Sequence, residues 1–418
     1  MSPLRIALLV YRGKPHCGGQ GVYTRHLSTA LTDLGHHVEV FSGQPYPVLD
    51  DRVILHQLPS LDMWEHYPWF VRSLADARDR IDLGEFARTA LTGTFAEPWA
   101  FSKRAERALL PRLGDFDIVH DNQCLGSGLL GIQAAGLPVL GTVHHPITVD
   151  RRIDMASAKN AFRRFGASRF YAFTKMQSRV AQQLPVIMTV SENSVGDITA
   201  GHGVPADRMR VVHVGVDPKL FRPLPSIARV PGRLMTTSSS DVPMKGLVYL
   251  LEAVAKLRTE RPEVELTVIG KPNPDGPVMQ AIRRFGIEDA VHFVSGVSDE
   301  RIVELYAEAE LAVVPSLYEG FSLPAIEAMA AGVPLVATTG GAIPEVVGAD
   351  GTTAALVPPA DVGALASTIA SLLDDPARRA AIGEAGRTRA VERYSWQATA
   401  VQTVELYREV IARAHRSV

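Results

Sequence analysis

Two glutamates, Glu319 and Glu327, stand eight positions apart, just after a run of apolar residues that is typical of a buried strand. We predict a helix between Ser322, as its N-cap, and Gly332, with a proline in its first turn. This places Glu319 on a turn at the carboxyl edge of a sheet, where backbone N–H groups can hold an anion or sugar hydroxyls. The alternative is an ordinary strand-to-helix connection whose glutamates complement the helix dipole. The candidate binding residues of this segment are Glu319, Gly320, Phe321, Ser322, Leu323 and Glu327.

The same segment resembles the Glu-x7-Glu signature of the retaining glycosyltransferases of family 4, and the resemblance extends over most of the chain. It implies the GT-B fold, in which two Rossmann-like α/β domains face each other across a cleft that binds a nucleotide sugar. In that family the first glutamate contacts the transferred sugar and the second bonds the nucleotide ribose, which assigns these roles to Glu319 and Glu327. The resemblance further implies a hexosyltransferase that retains the anomeric configuration, and the chain looks similar to actinobacterial members.

A glycine-rich loop follows the first predicted strand and opens a helix that we expect to continue to about Leu34. Its glycines, Gly18, Gly19 and Gly21, let backbone N–H groups approach a phosphate closely. The loop reads Gly-x-Gly-x-x-Thr, and the next strand ends without a ribose-binding carboxylate, so the sequence disfavours a nicotinamide cofactor. A tight turn with no ligand is the alternative. In family 4, glycines at this place lie against the donor diphosphate.

Two adjacent histidines, His144 and His145, end another apolar run. Family 4 members commonly carry a histidine here that lines the donor-sugar site, and His144 is the better match. Its expected task is to hydrogen bond a sugar hydroxyl or a developing charge, because a retaining transferase does not require it as a general base. Packing is the alternative for both residues, and it is the favoured one for His145.

A third strand end carries Ser240 and Lys245 near the start of a helix, where a lysine adds a full positive charge to the amides that hold a diphosphate. Many family members place an arginine six residues before this lysine, whereas this chain has Ser239. Part of the usual diphosphate clamp is therefore missing or comes from elsewhere, and the first candidates in the N-terminal domain are Arg12 and Lys14, beside the glycine loop. Two further residues resemble the family's turn near the nucleotide base: Gly270 and Lys271.

No metal site is expected. Asp115 and Asp117 mimic the metal-binding pair of the other large transferase fold, but they lead into a strand and do not follow one. Members of the GT-B fold use backbone dipoles and Lys or Arg in place of a metal. We therefore expect no cofactor, and a nucleotide sugar, GDP-mannose or UDP-glucose, as co-substrate.

The composition supports a globular, two-domain protein of 418 residues with 46% hydrophobic and 21% charged residues. A formal net charge of -2 supplies no global field for nucleic acid, so we expect no such partner. The two cysteines, Cys17 and Cys124, fit a reducing compartment, and no apolar stretch reaches the ~20 residues of a membrane span. We expect a cytoplasmic protein, which can also contact the inner membrane face. The sequence does not indicate an oligomeric state.

Short apolar runs alternate with helical segments, which indicates βαβ units and parallel sheets. The alternation resumes after a domain boundary near residue 210, where a short predicted strand at Val211 leads into a proline-containing stretch. We predict an N-terminal domain over residues 1–209, a nucleotide-sugar-binding domain over 210–394, and a last helix over 395–418 that packs back on the first domain. The predicted strands cover residues 5–11, 38–42, 117–120, 138–143 and 185–190, then 234–238, 264–270, 290–294, 310–315 and 334–338.

Two stretches are candidates for the acceptor. Aromatic clusters at residues 64–70 and 95–101 can stack on sugar faces or pack in the core. Arginines and lysines interleave with aromatic residues over residues 151–179, which favours either a solvated face or contact with a membrane surface or an anionic acceptor.

Taken together, these features predict transfer of a hexose, with mannose from GDP-mannose favoured, onto an oligosaccharide or glycolipid. The alternatives are a UDP-glucose-dependent α-glucosyltransferase, a nucleotide-sugar epimerase of the same fold, and a carbohydrate-binding protein without activity.

Overall fold

The computed structural model describes residues 2–14, 19–63, 74–158, 160–238, 242–348 and 350–416. The chain forms two compact units: unit 1 comprises Met1–Val212 and Thr399–Val418, and unit 2 comprises His213–Ala398. The boundaries predicted from the sequence were residues 209 and 394. Gly18, Ser239, Ser240 and the aromatic cluster at residues 64–70 lie outside the described residues.

Unit 1 is built on a parallel sheet whose described strands number seven, in the order β3-β2-β1-β4-β5-β6-β7. The chain leaves β1 toward β2 on one side and later returns to pair β4 on the other, so the strand order reverses between β1 and β4. At such a switch point the carboxyl ends of the strands border a crevice where ligands bind. The strands are β1 (Arg5–Val10), β2 (His37–Ser42), β3 (Ile54–Gln57), β4 (Ile118–Asn122), β5 (Val139–Val143), β6 (Ile187–Thr189) and β7 (Met209–Val211).

Helices cover both faces of this sheet, and the central strands are therefore apolar along most of their length. In β1 every residue after the first is buried. The helices of unit 1 are α1 (Gly19–Asp33), α2 (Arg80–Thr92), α3 (Glu97–Leu109), α4 (Gly128–Ala134), α5 (Ile147–Ser157), α6 (Ala161–Phe170), α7 (Thr174–Ala181) and α8 (Glu192–His202). The second aromatic cluster belongs partly to this packing, because Phe101 is buried in the core between α3 and the sheet.

Unit 2 repeats the plan with a parallel sheet of six described strands in the order β10-β9-β8-β11-β12-β13, and its switch point lies between β8 and β11. The strands are β8 (Arg233–Thr237), β9 (Glu265–Ile269), β10 (Val291–Val294), β11 (Leu311–Val314), β12 (Leu335–Thr338) and β13 (Ala355–Val357). The helices are α9 (Leu247–Arg258), α10 (Pro277–Phe285), α11 (Asp299–Glu308), α12 (Leu323–Ala330), α13 (Ile343–Val347), α14 (Val362–Leu373) and α15 (Pro376–Arg393).

The last helix, α16 (Trp396–Arg416), belongs to unit 1 from Thr399 onward. It is held there by Tyr407, whose hydroxyl lies 2.7 Å from Nδ1 of His120 in β4. The other ring nitrogen of His120 lies 2.6 Å from the hydroxyl of Thr142, and burial lowers the pKa of this histidine to about 3. His120 is therefore a neutral, fully hydrogen-bonded core residue. Five apolar residues of α16 are buried, Trp396, Val404, Leu406, Tyr407 and Val410, whereas Ile411 is partly buried and Val401 is 40% exposed.

Candidate functional site

The centre of the candidate site in unit 2 is the carboxylate of Glu319, on the turn between β11 and α12. Both of its oxygens accept a hydrogen bond from Nζ of Lys245, at 2.8 and 3.0 Å. The hydroxyl of Ser316 donates to Oε1 at 2.7 Å. Glu319 is only 8% exposed, so these two partners, and not water, stabilise its carboxylate charge. The sequence singled out Lys245 and Glu319 for different parts of a ligand, and the structure brings them into direct contact.

Lys245 reaches Glu319 because the loops after β8 and β11 approach each other closely. Gly246, with a φ of 66°, ends the 3-10 turn that carries Lys245. A Cβ on this glycine would lie 2.0 Å from the carbonyl oxygen of Pro315, so no other residue fits without displacing the backbone. A hydrogen bond of 2.7 Å from the amide of Leu317 to the carbonyl of Met244 joins the two loops.

The loop after β12 supports the Glu319 turn from the other side. The amide of Ala342 donates to the carbonyl of Glu319 at 2.9 Å. Gly341 has a φ of 63°, and a Cβ there would lie 2.3 Å from the same carbonyl oxygen. The hydroxyl of Thr338 donates to the carbonyl of Ser316. Three neighbouring strands thus fix the position of Glu319.

At the start of α12 the amides of Phe321, Ser322 and Leu323 donate to no acceptor among the described residues. Ser322 is the N-cap residue of α12, at the predicted position, but it has a φ of 95°, and its side chain accepts no hydrogen bond from the helix. Its buried hydroxyl has no partner within the described part of the chain. In this left-handed conformation the side chain is turned away from the amides that a capping serine would accept from. The amides of these three residues can bind an anion.

Glu327, in the second turn of α12, is half-buried, and burial raises its pKa to about 7. The nearby Asp299 raises it further, whereas a hydrogen bond from the phenol of Tyr306 lowers it. Tyr306 belongs to α11 and is itself 2% exposed. The hydroxyl of Tyr306 also lies 3.4 Å from the carbonyl oxygen of Pro324, in the first turn of the same helix.

The predicted base-binding turn follows β9. The amide of Gly270 donates to the carbonyl of Val294 at 2.9 Å, so this amide is used by the fold. Lys271, the next residue, is exposed. A contact with a nucleotide base at this turn would therefore come from side chains or carbonyl groups and not from the Gly270 amide.

In unit 1 the glycine loop meets the start of α1, and its two described glycines differ in role. A Cβ on Gly21 would lie 2.0 Å from the carbonyl oxygen of Lys14, so the helix can approach the preceding loop only with glycine there. A Cβ on Gly19 would meet nothing within 4 Å of the described atoms. Gly21 therefore serves packing, and Gly19 is the one whose surroundings leave room beside the helix start.

His144 follows β5 at the carboxyl edge, next to the switch point. Its Nε2 lies 2.5 Å from Oδ1 of Asn122, the last residue of β4. The backbone amide of His144 donates to Oε1 of Gln123 at 2.7 Å, and the ring packs edge-on against Tyr23 with centroids 4.4 Å apart. Burial lowers the pKa of His144 to about 4, so the imidazole is neutral at pH 7. His145 differs, because its Nε2 lies 2.7 Å from Oδ1 of Asp150 in α5.

Comparison with known proteins identifies the family. Residues 17–220 match the model described as Glycosyltransferase Family 4, and residues 229–389 match the model described as Glycosyl transferases group 1. The chain is 52% identical, over 98% of its length and 99% of the relative, to an MMP alpha-(1->4)-mannosyltransferase of Mycolicibacterium hassiacum. The chain belongs to glycosyltransferase family 4. It is 29% identical to a D-inositol 3-phosphate glycosyltransferase of Thermobispora bispora, with coverage of 97% of this chain and 93% of the relative.

Solved structures of GT-B glycosyltransferases share the fold of this family 4 member. A sucrose-phosphate synthase of Thermosynechococcus elongatus matches with a TM-score of 0.74 at 24% identity, covering 98% of this chain and 100% of that chain. The Anabaena protein HepE, in complex with UDP and glucose, matches with a TM-score of 0.72 at 17% identity, covering 96% and 99%. The α/β fold class predicted from the sequence is thereby confirmed, as is the assignment of the chain as a glycosyltransferase.

The basic residue Arg12, considered as a second ligand for the diphosphate, is already paired in this glycosyltransferase. Its guanidinium donates two hydrogen bonds of 2.6 Å to Glu97 and lies 3.5 Å from Asp62. Two carboxylates therefore neutralise Arg12, whereas Lys14 is exposed.

Asp117 lies at the amino end of β4, the opposite edge of the sheet from His144. Its carboxylate is paired with Arg5 at 2.7 Å, and that of Asp115 accepts from Arg112 at 2.8 Å. Within the described ranges no three His, Cys, Asp or Glu side chains come together as metal ligands. In the same part of the chain, no helix has both the length and the apolar character needed to cross a bilayer.

Asn122 and Gln123 are the site residues that the sequence analysis missed. Asn122 is the last residue of β4 and Gln123 follows it, and the register pairs Asn122 with Thr142, two residues before His144. The sequence did offer one signal: polar residues stand at the ends of β4 and β5, two strands that pair side by side in the parallel sheet. A pair of amides after a strand is common in loops, so this signal is weak without the fold.

Proposed function

We propose that this glycosyltransferase is an α-(1→4)-mannosyltransferase that transfers mannose from GDP-mannose to the 4-hydroxyl of a sugar in an oligosaccharide or glycolipid acceptor. The 52% identical relative is named as an alpha-(1->4)-mannosyltransferase, which supports the mannosyl group and the linkage. The choice of GDP as the nucleotide of the donor rests on the resemblance to family 4. GDP-mannose is favoured, and UDP-glucose is the alternative. Retention of the anomeric configuration and independence of metal ions belong to the same proposal.

The observation that carries the proposal is the group formed by Lys245, Glu319 and the three amides at the start of α12. Bond cleavage at the anomeric carbon leaves the electron pair on the diphosphate, which gains negative charge. Amide donors and an ammonium group stabilise such a charge in a partly buried site, where it is felt more strongly than in water. Lys245 can serve this role by turning from Glu319 toward the diphosphate.

Glu319 then becomes available to the sugar. Its carboxylate can accept hydrogen bonds from hexose hydroxyls, which replace those that Lys245 gives it in the free protein. The acceptor hydroxyl attacks the anomeric carbon on the face that the diphosphate leaves, and its proton passes to a leaving-group oxygen. No general base is required in this sequence, because the nucleoside diphosphate is a good leaving group.

The donor and the linkage are tested by direct assay. The protein is incubated with GDP-mannose, UDP-glucose, UDP-N-acetylglucosamine or ADP-glucose, each with an α-mannoside that has a free 4-hydroxyl. D-Inositol 3-phosphate serves as a control acceptor, since 29% identical relatives are named for it. We expect turnover with GDP-mannose and the mannoside, and an α-(1→4) product by NMR.

Each other outcome contradicts a named part of the proposal. A preference for UDP-glucose would show that the proposed donor is wrong. Transfer to inositol phosphate would show that the proposed acceptor is wrong. Conversion of the donor without an acceptor would favour the epimerase alternative. Donor binding without turnover for every acceptor would favour a binding protein.

We further propose that unit 1 contacts an anionic membrane surface through α6 and its neighbours. Residues 147–181 contain eight lysines and arginines but only two acidic residues. Two phenylalanines of α6 are unusually exposed, Phe162 at 84% and Phe165 at 59%, and no residue of this helix is buried. Basic side chains beside exposed aromatic rings fit the interface of an anionic bilayer, where each basic residue near the surface contributes about 1 kcal/mol.

Vesicle sedimentation tests this contact. We expect the protein to sediment with vesicles of phosphatidylcholine and phosphatidylglycerol at low salt, and not with phosphatidylcholine alone. The triple variant Phe162→Ser, Phe165→Ser and Arg163→Glu should lose this binding but keep activity on a soluble mannoside. A control reverses the two exposed arginines of α10, Arg283 and Arg284, and should bind like the wild type. Equal binding to both vesicle types, or none, would contradict the contact.

A further inference from the structure

The side-chain amide of Asn122 has only one orientation that satisfies its neighbours. Its Nδ2 lies 3.1 Å from the carbonyl oxygen of Gln20 and 2.9 Å from the hydroxyl oxygen of Thr24. The Thr24 hydroxyl gives its own proton to the Gln20 carbonyl at 2.8 Å. Both neighbours can therefore only accept from Asn122, which places the amide NH2 group toward α1 and the amide oxygen toward β5.

This orientation determines which nitrogen of His144 carries the proton. The oxygen Oδ1 of Asn122 is a pure acceptor and lies 2.5 Å from Nε2 of His144, so Nε2 must be protonated. A neutral imidazole has a single N–H group. Nδ1 of His144 therefore carries a lone pair, and it forms no hydrogen bond within the described part of the chain.

The rest of the surroundings keep the ring in place. Gln123 accepts from the backbone amides of His144 and His145, at 2.7 and 3.1 Å, and donates to the His145 carbonyl at 2.6 Å. The titratable groups that face the ring are Tyr23 of α1 and His120 of β4. Both are neutral at pH 7, because burial raises the pKa of the tyrosine and lowers that of the histidine to about 3.

We propose that Asn122 is a positioning residue that fixes His144 as the Nε2–H tautomer, so that Nδ1 accepts a hydrogen bond from a hydroxyl of the bound hexose. The hydroxyl partner rests on the proposed function, whereas the tautomer does not. A lone pair at this position repels groups that only accept, such as a carboxylate or a phosphate oxygen. His144 therefore selects a neutral sugar face and does not donate to a developing negative charge. Of the two roles that the sequence left open, a contact with a sugar hydroxyl or with a developing charge, this proposal keeps the hydroxyl.

The tautomer is measured on the free, full-length protein by ¹⁵N NMR of labelled histidine side chains. The wild type should show His144 as the Nε2–H tautomer, with the signal assigned by its loss in His144→Gln. In Asn122→Ala the oxygen that selects this tautomer is absent, and a mixture of the two tautomers should appear. Because no substrate is present, this result is independent of the donor and acceptor.

Activity measurements with GDP-mannose and the mannoside acceptor test the consequence. Asn122→Ala should lower kcat/KM by about tenfold, the size expected for one misplaced hydrogen bond. Asn122→Asp places a carboxylate against Nε2, which favours the imidazolium form and protonates Nδ1 as well. Its activity should therefore fall with decreasing pH well above the pH at which the wild type loses activity, and recover at higher pH.

A matched control is Asn160→Ala, which removes another asparagine side chain of unit 1. Asn160 accepts from the amide of Arg163 at the start of α6 and does not contact His144. This variant should alter thermal stability without changing the tautomer or the pH profile. A wild-type His144 found as the Nδ1–H tautomer would overturn the proposal. So would Asn122 variants that lose activity equally at every pH, since that is the behaviour of a purely structural residue.

Discussion

Replacing Lys245 by alanine tests the candidate site most directly, because it removes the ammonium group that holds both oxygens of Glu319. A charge-assisted contact that strengthens as the diphosphate leaves can supply about 3 kcal/mol, so we expect kcat/KM to fall by roughly a hundredfold or more. Part of this loss should appear in kcat. The effect on folding should be small, about 1 kcal/mol, because the lysine side chain is 30% exposed and Ser316 still donates to Glu319.

The loss has two possible origins, since Lys245 can act on the diphosphate or only through Glu319. A double-mutant cycle with Glu319→Gln separates them. If Lys245 contacts the diphosphate, removing it should still lower kcat/KM at least tenfold in the Glu319→Gln background. If it only orients Glu319, its removal there should cost nothing.

The assay is steady-state release of GDP from GDP-mannose at saturating acceptor, with thermal melts to confirm folding. Lys256→Ala is the matched control: this lysine is 56% exposed and lies 3.8 Å from Glu252 on the same helix. It should behave like the wild type. Near-normal turnover of Lys245→Ala at saturating donor would refute the role assigned to Lys245, and the exposed Lys14 would be the next basic residue to test.

Four further outcomes are expected. Glu327→Ala should chiefly raise the Kd for the nucleotide measured by calorimetry, and unchanged affinity with lost turnover would contradict the ribose contact. Because the pKa of Glu327 is raised to about 7 from 4.5, its ionisation destabilises the fold as pH rises through this range. The melting temperature of Glu327→Gln should therefore be higher than that of the wild type above pH 7 and equal to it below pH 4.5. Activity should persist in excess chelator, and loss restored by magnesium or manganese would refute metal independence. Tyr407→Phe should lower the free energy of unfolding by about 1–3 kcal/mol in urea titrations, because it leaves a buried nitrogen of His120 without its partner.

The strands with long apolar runs were predicted to within about two residues, because burial on both faces imposes an apolar run on a central strand. Two strands were missed for physical reasons. The residues of β3 (Ile54–Gln57) are exposed or partly exposed at the sheet edge and include a histidine and a glutamine. Strand β13 (Ala355–Val357) has only three residues in a short apolar run that ends at a proline pair, whereas the equally short β6 lies in the longer predicted run of residues 185–190.

The candidate site was predictable in its members but not in its contacts. Lys245 and Glu319 are separated by 74 residues, and their contact depends on Gly246 fitting against Pro315, a close approach that no spacing in the sequence reveals. The same holds for the pairing of Arg12 with Glu97, 85 residues away, which removes Arg12 from the possible diphosphate ligands. Ion pairs between residues so far apart in the sequence depend on the order of the strands in the sheet. The sequence alone does not give this order.

Ser322 shows why a local rule failed where a ligand is proposed to bind. A serine before a helix normally caps it and stabilises it by about 1 kcal/mol, and this rule predicted the N-cap. In the structure Ser322 has a φ of 95° and its hydroxyl is buried without a partner in the described residues, a combination that costs on the order of 1–3 kcal/mol. A capping hydroxyl would occupy an amide that the proposed diphosphate requires. The left-handed turn keeps the amides of residues 321–323 unpaired, and on the proposed function the free energy lost there is recovered when the anion binds to them.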